Sequence, residues 1–262
     1  GEKMKGIILS GGVGSRLYPL TKATNKCLLP VAGVPMVYRM IELFTSSGIE
    51  DIMLITGTDH AGQVISSLGS GAHLNCSMTY RVQDKANGIA SALKLCKSFC
   101  SDEKFVVILG DNIFSDHGPI SKELKEFKES DESFKLFAKQ VPDPERFGVI
   151  ELDDKDEPTR IIEKPKNPPT NYAVTGLYYY DNKVVDYAHE IIPSARGELE
   201  ITDINNLYMK NRDCQVEYLN RGIAWIDTGT FESLSEASVF VGSVQRRTGT
   251  MIACPEEIAC RN

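Results

Sequence analysis

Four short apolar runs, separated from one another by segments of helical spacing, lie between residues 5 and 112 of this 262-residue chain. They are KGIILS (5–10), DIMLIT (51–56), CSMTYRV (76–82) and KFVVILGDN (104–112). Hydrophobicity that runs continuously rather than alternating marks a strand buried on both faces, as in a parallel sheet. Between the first two runs, Pro35 suits a first helical turn, and Met36, Val37, Met40, Ile41 and Phe44 recur at helical spacing. Ala61–Leu68 reads as a second helix, and Ile89, Ala92, Leu93 and Cys96 mark one face of a third. This alternation predicts an α/β fold with a doubly wound, mostly parallel central sheet flanked by helices. Such sheets bind ligands at the carboxyl ends of their strands. The loop Gly11–Gly14 and Asp111 both fall just past such an end, so the fold brings together segments about a hundred residues apart.

The second half is less regular. SFKLFAKQV (133–141), FGVIEL (147–152) and YAVTGLYYYD (172–181) read as strands, and DDKDE (153–157) as a solvated hairpin turn. KPKNPPT (164–170) is a proline-rich loop rather than a linker, because neither flank has the makings of an independent core. SKELKEFKESDE (121–132) reads as a surface helix with Leu124 and Phe127 turned inward. Leu234, Ala237, Val241 and Val244 mark a late helix, and no internal repeat divides the chain. The expectation is a single domain over residues 4–262.

A net charge of −7 argues against nonspecific nucleic-acid binding, which needs a basic surface, yet a single nucleotide requires only a few local cations. No apolar run has the length of a membrane span. The seven cysteines are odd in number and irregular in spacing, with no CxxC pair. They read as reduced thiols of a cytoplasmic protein, not as a zinc site.

The loop after the first strand, GGVGSRLYPLT (11–21), matches neither of the common phosphate-binding patterns. In a G-x-G-x-x-G count from Gly12, the third glycine falls on Leu17, and no lysine follows Gly14 as a P-loop requires. Its physics is still that of an anion cradle, since glycines let backbone N–H groups approach phosphate and Arg16 adds a cationic fork. Lys26, held before the apolar run CLLPV, adds a second cation. Taken singly, Asp111 also suits a helix N-cap, Asp227 a turn before Gly229, and Gln83 a polar strand end.

Read together, G-G-x-G-x-R-L-x-P-L-T, K-x-L-L-P-V and P-M-x-Y resemble the signature of the sugar-1-phosphate nucleotidyltransferases. The segments VQDKANGIASAL (82–93), LGDNIF (109–114), DPERFGV (143–149), EKP (163–165), PSARGELEITDIN (193–205), AWIDTGT (224–230) and ACPEEIA (253–259) are similar to the glucose-1-phosphate thymidylyltransferase branch. The likeness runs from Lys5 to the C-terminus. It implies a Rossmann-like sheet with a smaller β-rich sugar-binding portion. Residues 4–115 would then mainly bind nucleotide, 133–230 mainly sugar phosphate, and 231–262 would supply a C-terminal helix and a regulatory or oligomer segment.

The implied reaction joins dTTP and glucose 1-phosphate into dTDP-glucose and pyrophosphate, the first step of dTDP-sugar synthesis such as that of dTDP-rhamnose. The sugar phosphate oxygen attacks the α-phosphorus in line, with Mg²⁺ as cofactor and no covalent enzyme intermediate. By resemblance Arg16, Lys26 and Asp111 are catalytic, and Asp111 and Asp227 are metal ligands. Leu9, Gly11, Gly12, Gly14, Ser15, Arg16, Gln83, Gly88 and Asp111 bind nucleotide, with Gln83 and Gly88 reading the base. Gly148, Glu163, Lys164, Val174, Tyr178 and Trp225 form the sugar-phosphate site. Family members often carry tyrosine where this chain has Phe147. The resemblance also implies a cytoplasmic homotetramer, with no nucleic-acid or membrane partner and with feedback by a dTDP-sugar. Two alternatives stand beside it. One is a UTP-preferring sugar-1-phosphate uridylyltransferase, because UTP differs only by a ring methyl and a 2′-hydroxyl. The other is a non-catalytic nucleotide-sugar-binding relative.

Overall fold

The computed structural model describes residues 3–249. Strand β1 (Lys5–Ser10) leads to helix α1 (Leu20–Ala23), a short hairpin of β2 (Pro30–Val31) and β3 (Val34–Pro35), and helix α2 (Met36–Ser46). Then β4 (Asp51–Gly57), α3 (Ala61–Leu68), β5 (Ser77–Gln83), α4 (Ile89–Leu93), α5 (Lys97–Cys100) and β6 (Phe105–Leu109) complete the alternating half. The second half continues with β7 (Asn112–Phe114), α6 (Gly118–Glu129), β8 (Phe134–Gln140), β9 (Gly148–Leu152), β10 (Pro158–Glu163) and β11 (Tyr172–Tyr180). It closes with α7 (Lys183–Glu190), α8 (Ile201–Lys210), β12 (Cys214–Tyr218), β13 (Trp225–Asp227) and α9 (Phe231–Thr248).

The main sheet runs β10-β9-β11-β6-β1-β4-β5, with β8 joined to β11 and β12 to β8. β6, β1, β4 and β5 are mutually parallel, and β1 lies between β6 and β4, with Ile7 opposite both Val107 and Met53. This is the parallel core that the alternation predicts. β11 adds antiparallel to β6 and carries β8 and β9, so the second half of the chain is built on an antiparallel extension of the same sheet.

Successive side chains of a strand point to opposite faces. Ile8, Ile52, Leu54, Val106 and Ile108 therefore pack with Met40 and Phe44 of α2 and Leu124 of α6 on one face. Ile7, Met53, Ile55 and Val107 pack with Leu93 of α4, Val184 of α7 and Ile204 of α8 on the other. Both faces are covered, which is why those strands read as unbroken apolar runs.

Some boundaries differ from the sequence reading. The charged helix begins at Gly118, with Pro119 in its first turn, and stops at Glu129. The third helix divides into α4, a 3-10 turn at Lys94–Cys96 and α5. Strands β10, β12 and β13 and helices α7 and α8 were not read from the sequence. The segment ACPEEIA, with Cys254, and the terminal Cys260 lie outside the described residues. The five described cysteines are free, and four of them are buried.

Gly6 shows how closely α2 seats on the sheet. A Cβ there would lie 2.5 Å from the ring of buried Phe44. Overpacking of this kind costs about 1–3 kcal/mol. Gly6→Ala is expected to lower the unfolding free energy by that amount, seen as a lower urea midpoint at an unchanged denaturant slope. An unaltered midpoint would refute the tight seating.

Candidate active site

Past the end of β1 the chain turns through Gly11–Gly14. Gly14 sits at φ +62, and a Cβ there would come within 2.7 Å of Thr21, whose Oγ1 donates to the Gly14 carbonyl at 2.8 Å. The loop overhangs a cavity of about 310 Å³ lined by Leu9, Gly11, Gly12, Lys26, Gln83, Gly88 and Asp111, among others. Gln83, at the end of β5, donates through Nε2 to Asn87 Oδ1 and to the Gly88 carbonyl, both at 3.2 Å. Gly88 has φ +107, and any side chain there would collide with the backbone of Leu199. That approach is part of a small ladder in which Leu199 N–H donates to Asn87 O and Ala90 N–H to Leu199 O. Gly14 and Ser15 shape the turn and lie outside the lining of this cavity.

Lys26 is positioned by its neighbour. Asn25 is buried, caps the turn Lys26–Leu28 by accepting from Cys27 N–H at 3.0 Å, and accepts from Ser10 Oγ at 2.5 Å. Its amide donates to Ser10 O and to Thr56 Oγ1, both at 3.1 Å. One side chain thus ties the ends of β1 and β4 to the turn that carries Lys26. From there Lys26 Nζ reaches Asp111 Oδ2 at 2.6 Å. Asp111 Oδ1 accepts from Asn112 Nδ2 at 3.0 Å, and its carbonyl accepts from Thr228 N–H and Oγ1.

Asp227 completes this centre. The ribbon of β7 and β13 sets Asp227 opposite Asn112, next to Asp111. Burial raises the Asp111 carboxyl, but the charge and hydrogen bond of Lys26 outweigh it and hold the pKa below the ordinary value. Burial and then the charge of Asp111 push Asp227 up to about 6, against the pull of Lys26 and Arg16. The Arg16 guanidinium packs over Gly229, where a Cβ would meet it at 2.9 Å, beside Asp227 Oδ1. Among the described residues no group of three or more His, Cys, Asp or Glu side chains could hold a metal. Two hard carboxylates, one left short of positive partners, fit an ion such as Mg²⁺ that takes its other ligands from water and substrate phosphates.

A second cavity of about 240 Å³ shares Ile89, Leu109 and Asp111 with the first. All six residues expected to form the sugar-phosphate site, Gly148, Glu163, Lys164, Val174, Tyr178 and Trp225, line it. Glu163 Oε2 accepts from Thr202 Oγ1 at 2.6 Å, and Lys164 follows it at φ +43, a conformation rare for a non-glycine residue. Trp225 Nε1 donates to Asn112 Oδ1 at 2.6 Å, and Gly176 N–H donates to the same oxygen at 2.9 Å. Tyr178 is buried, and desolvation first, then Glu163 and Asp111, raise its phenol well above the ordinary value. Asn25, Asn112, Arg146 and Thr202 belong to the site and were not assigned from the sequence. Of these only Asn25 carries a local signal, as a capping residue directly before Lys26.

Residues 5–243 match the family model described as nucleotidyl transferase. A glucose-1-phosphate thymidylyltransferase of Neisseria meningitidis is 44% identical over 259 residues, covering 99% of this chain and 90% of its own. One from Xanthomonas campestris pv. campestris is 45% identical over 255 residues, 97% of this chain and 86% of its own. A crystal structure described as that enzyme from Bacillus anthracis, with sucrose bound, is 51% identical with a TM-score of 0.85, over 91% of this chain and 95% of its own. A UDP-glucose pyrophosphorylase with UDP-glucose shares the fold at 22% identity and a TM-score of 0.79, over 94% of this chain and 99% of its own.

The strained pair Asp111–Asp227 generates a linkage prediction. Asp227 has a higher pKa folded, about 6, than its ordinary 3.8, so the folded chain binds more protons between those values. Its contribution to stability is therefore lost as pH rises through that window. Asp227→Asn in chelator at pH 7.5 is expected to be more stable than wild type by about 1–3 kcal/mol. The gap should narrow as pH falls toward 4, followed by thermal denaturation. A variant less stable than wild type at pH 7.5 would contradict the crowding of the two carboxylates.

Proposed function

Since this chain belongs to the nucleotidyl transferase family, we propose that it moves the thymidylyl group of dTTP onto glucose 1-phosphate, releasing pyrophosphate and forming dTDP-glucose. It is an enzyme, a nucleotidyltransferase. One observation carries the assignment of chemistry to this site. Asp111, paired with Lys26 at 2.6 Å, stands in the wall common to both cavities. Two ligands placed in those cavities meet at one lysine–aspartate pair, which suits direct transfer between them rather than a covalent relay through the protein.

Position in the two cavities and the family resemblance support the following division of labour. Gly11 and Gly12 offer backbone donors to the triphosphate, and Leu9 packs against the nucleotide. Gln83 presents an amide to the base, able to donate and accept at once. Glu163 accepts from sugar hydroxyls, and Lys164 holds the phosphate of the sugar phosphate. Arg16 and Lys26 stabilise charge that builds on the phosphoryl oxygens as the sugar phosphate oxygen attacks the α-phosphorus. No general base is needed, because the attacking oxygen is already ionised near neutral pH. Asp111 and Asp227 would hold Mg²⁺, which supplies charge neutralisation at the phosphates when bound.

The resemblance also supports a cytoplasmic homotetramer with a dTDP-sugar as feedback ligand. Free described cysteines agree with a reducing compartment. Among the described residues no helix is long and apolar enough to cross a membrane.

Pyrophosphate release tests the reading, with Mg²⁺ and glucose 1-phosphate against dTTP, UTP, CTP, ATP and GTP, each also without sugar. Release should depend on the sugar and be fastest with dTTP. A faster UTP rate would reassign the nucleotide, and silence from folded protein would refute the activity. Gln83→Ala should narrow the dTTP-to-CTP preference by roughly 10-fold while slowing dTTP turnover less. An unchanged ratio would remove Gln83 from base reading.

A further inference from the structure

The wall of the sugar-side cavity carries a cation that neither the loop signature nor the expected sugar-phosphate set includes. Arg146 lies in the 3-10 turn Pro144–Arg146 that precedes β9, and it lines the same cavity as Asp111, Lys164 and Asp227. Its guanidinium sits over the Phe147 ring, 5.2 Å from the centroid. Phe147 in turn packs on Trp225 at 4.9 Å, and Trp225 is pinned by its hydrogen bond to Asn112, the neighbour of Asp111. The guanidinium therefore rides on a fixed aromatic shelf that leads to the reacting centre. Its only charged hydrogen-bond partner among the described residues is Asp143, at 2.6 Å, and both side chains are about two-fifths exposed (41% and 40%).

Charge balance says why a further cation is needed. A triphosphate and a phosphate monoester, the latter bearing about −1.5 to −2, must converge beside two carboxylates. Lys26 is already matched to Asp111, which leaves Arg16 and Lys164 from the expected set. Exposed ion pairs such as Arg146–Asp143 are weak and exchange readily, by about 0.2–1 kcal/mol. Cation–π contact keeps a guanidinium over its ring whether or not the ion pair is formed.

Resting on the reading of the site as a nucleotidyltransferase centre, we propose that Arg146 is a phosphate-binding residue for the sugar phosphate, carried on the Phe147–Trp225 shelf and exchanged from Asp143 to the ligand. Asp143 then acts as a competitor that parks the guanidinium when the cavity holds no anion. Phe147 serves as platform, a role its ring fills without a hydroxyl.

The test compares Arg146→Met, Arg146→Lys and Asp143→Asn in steady-state assays with glucose 1-phosphate and dTTP varied separately. Calorimetric binding of glucose 1-phosphate alone is measured on the same proteins. Arg146→Met should raise the KM for glucose 1-phosphate roughly 10- to 100-fold, while the KM for dTTP stays within about twofold. Arg146→Lys should fall between, since lysine keeps charge but loses the fork. Asp143→Asn should lower the sugar-phosphate KM by about two- to fivefold. A purely structural salt bridge predicts that the Met and Asn variants shift together, and that result overturns the proposal. So does an unchanged sugar-phosphate KM in Arg146→Met. If wild type turns over no nucleotide, the reading of the site fails by itself, and the calorimetric comparison still decides whether Arg146 binds the sugar phosphate.

Discussion

The part-buried ion pair between Lys26 and Asp111 is the constraint on which the rest of the site depends. A lone carboxylate in that position would be costly to ionise, and Lys26 removes the cost only if its backbone is held rigidly. Asn25 provides that rigidity by joining the ends of two parallel strands to the lysine turn. On the aspartate side, Thr228 and Asn112 hold the main chain and the carboxylate. Once that pair is balanced, the nearby Asp227 is left with an excess of negative charge around it, and its raised pKa records the excess. The centre is thus built with an excess of negative charge at Asp227.

Two kinds of sheet meet at this point, and each delivers a different half of the chemistry. The parallel strands β1, β5 and β6 end together, which gathers the glycine loop, Gln83 and Asp111 along one rim. The antiparallel extension through β11, β9 and β10 delivers Gly148, Glu163, Val174 and Tyr178 to the adjoining cavity. A three-residue ribbon, β7 with β13, then crosses between them and sets Asp227 beside Asp111. A short ribbon suffices because Trp225, at its far end, is hydrogen-bonded to Asn112.

The parallel half was legible in the sequence because both faces of its strands are buried, so apolar residues run on without interruption. Helix α2 was legible through its apolar residues at helical period, Met36, Val37, Met40, Ile41 and Phe44, all of them buried. β10 (PTRIIE) and β12 (CQVEY) escaped notice because each lies at an edge of the sheet and is half exposed. β13 has three residues and no period to detect. In α8, Thr202 and Asn205 interrupt the apolar stripe because they face the site and the core as polar residues. The cluster around Asp111 followed from family motifs and not from spacing. Asn112 and Thr202 take their places through partners 39 to 113 residues away, and no local pattern encodes such distances.

The contact between Gly88 and the backbone of Leu199 has a consequence for how such a protein can diversify. The Gly88 loop rests directly on main chain from the second half of the chain, with no side chain between to absorb a change. Exchange of the parallel half with that of a relative would therefore have to carry the 198–200 segment along with it. A change of backbone on one side of this seam has to be matched on the other, whereas side chains such as Gln83 can be replaced without remodelling the loop.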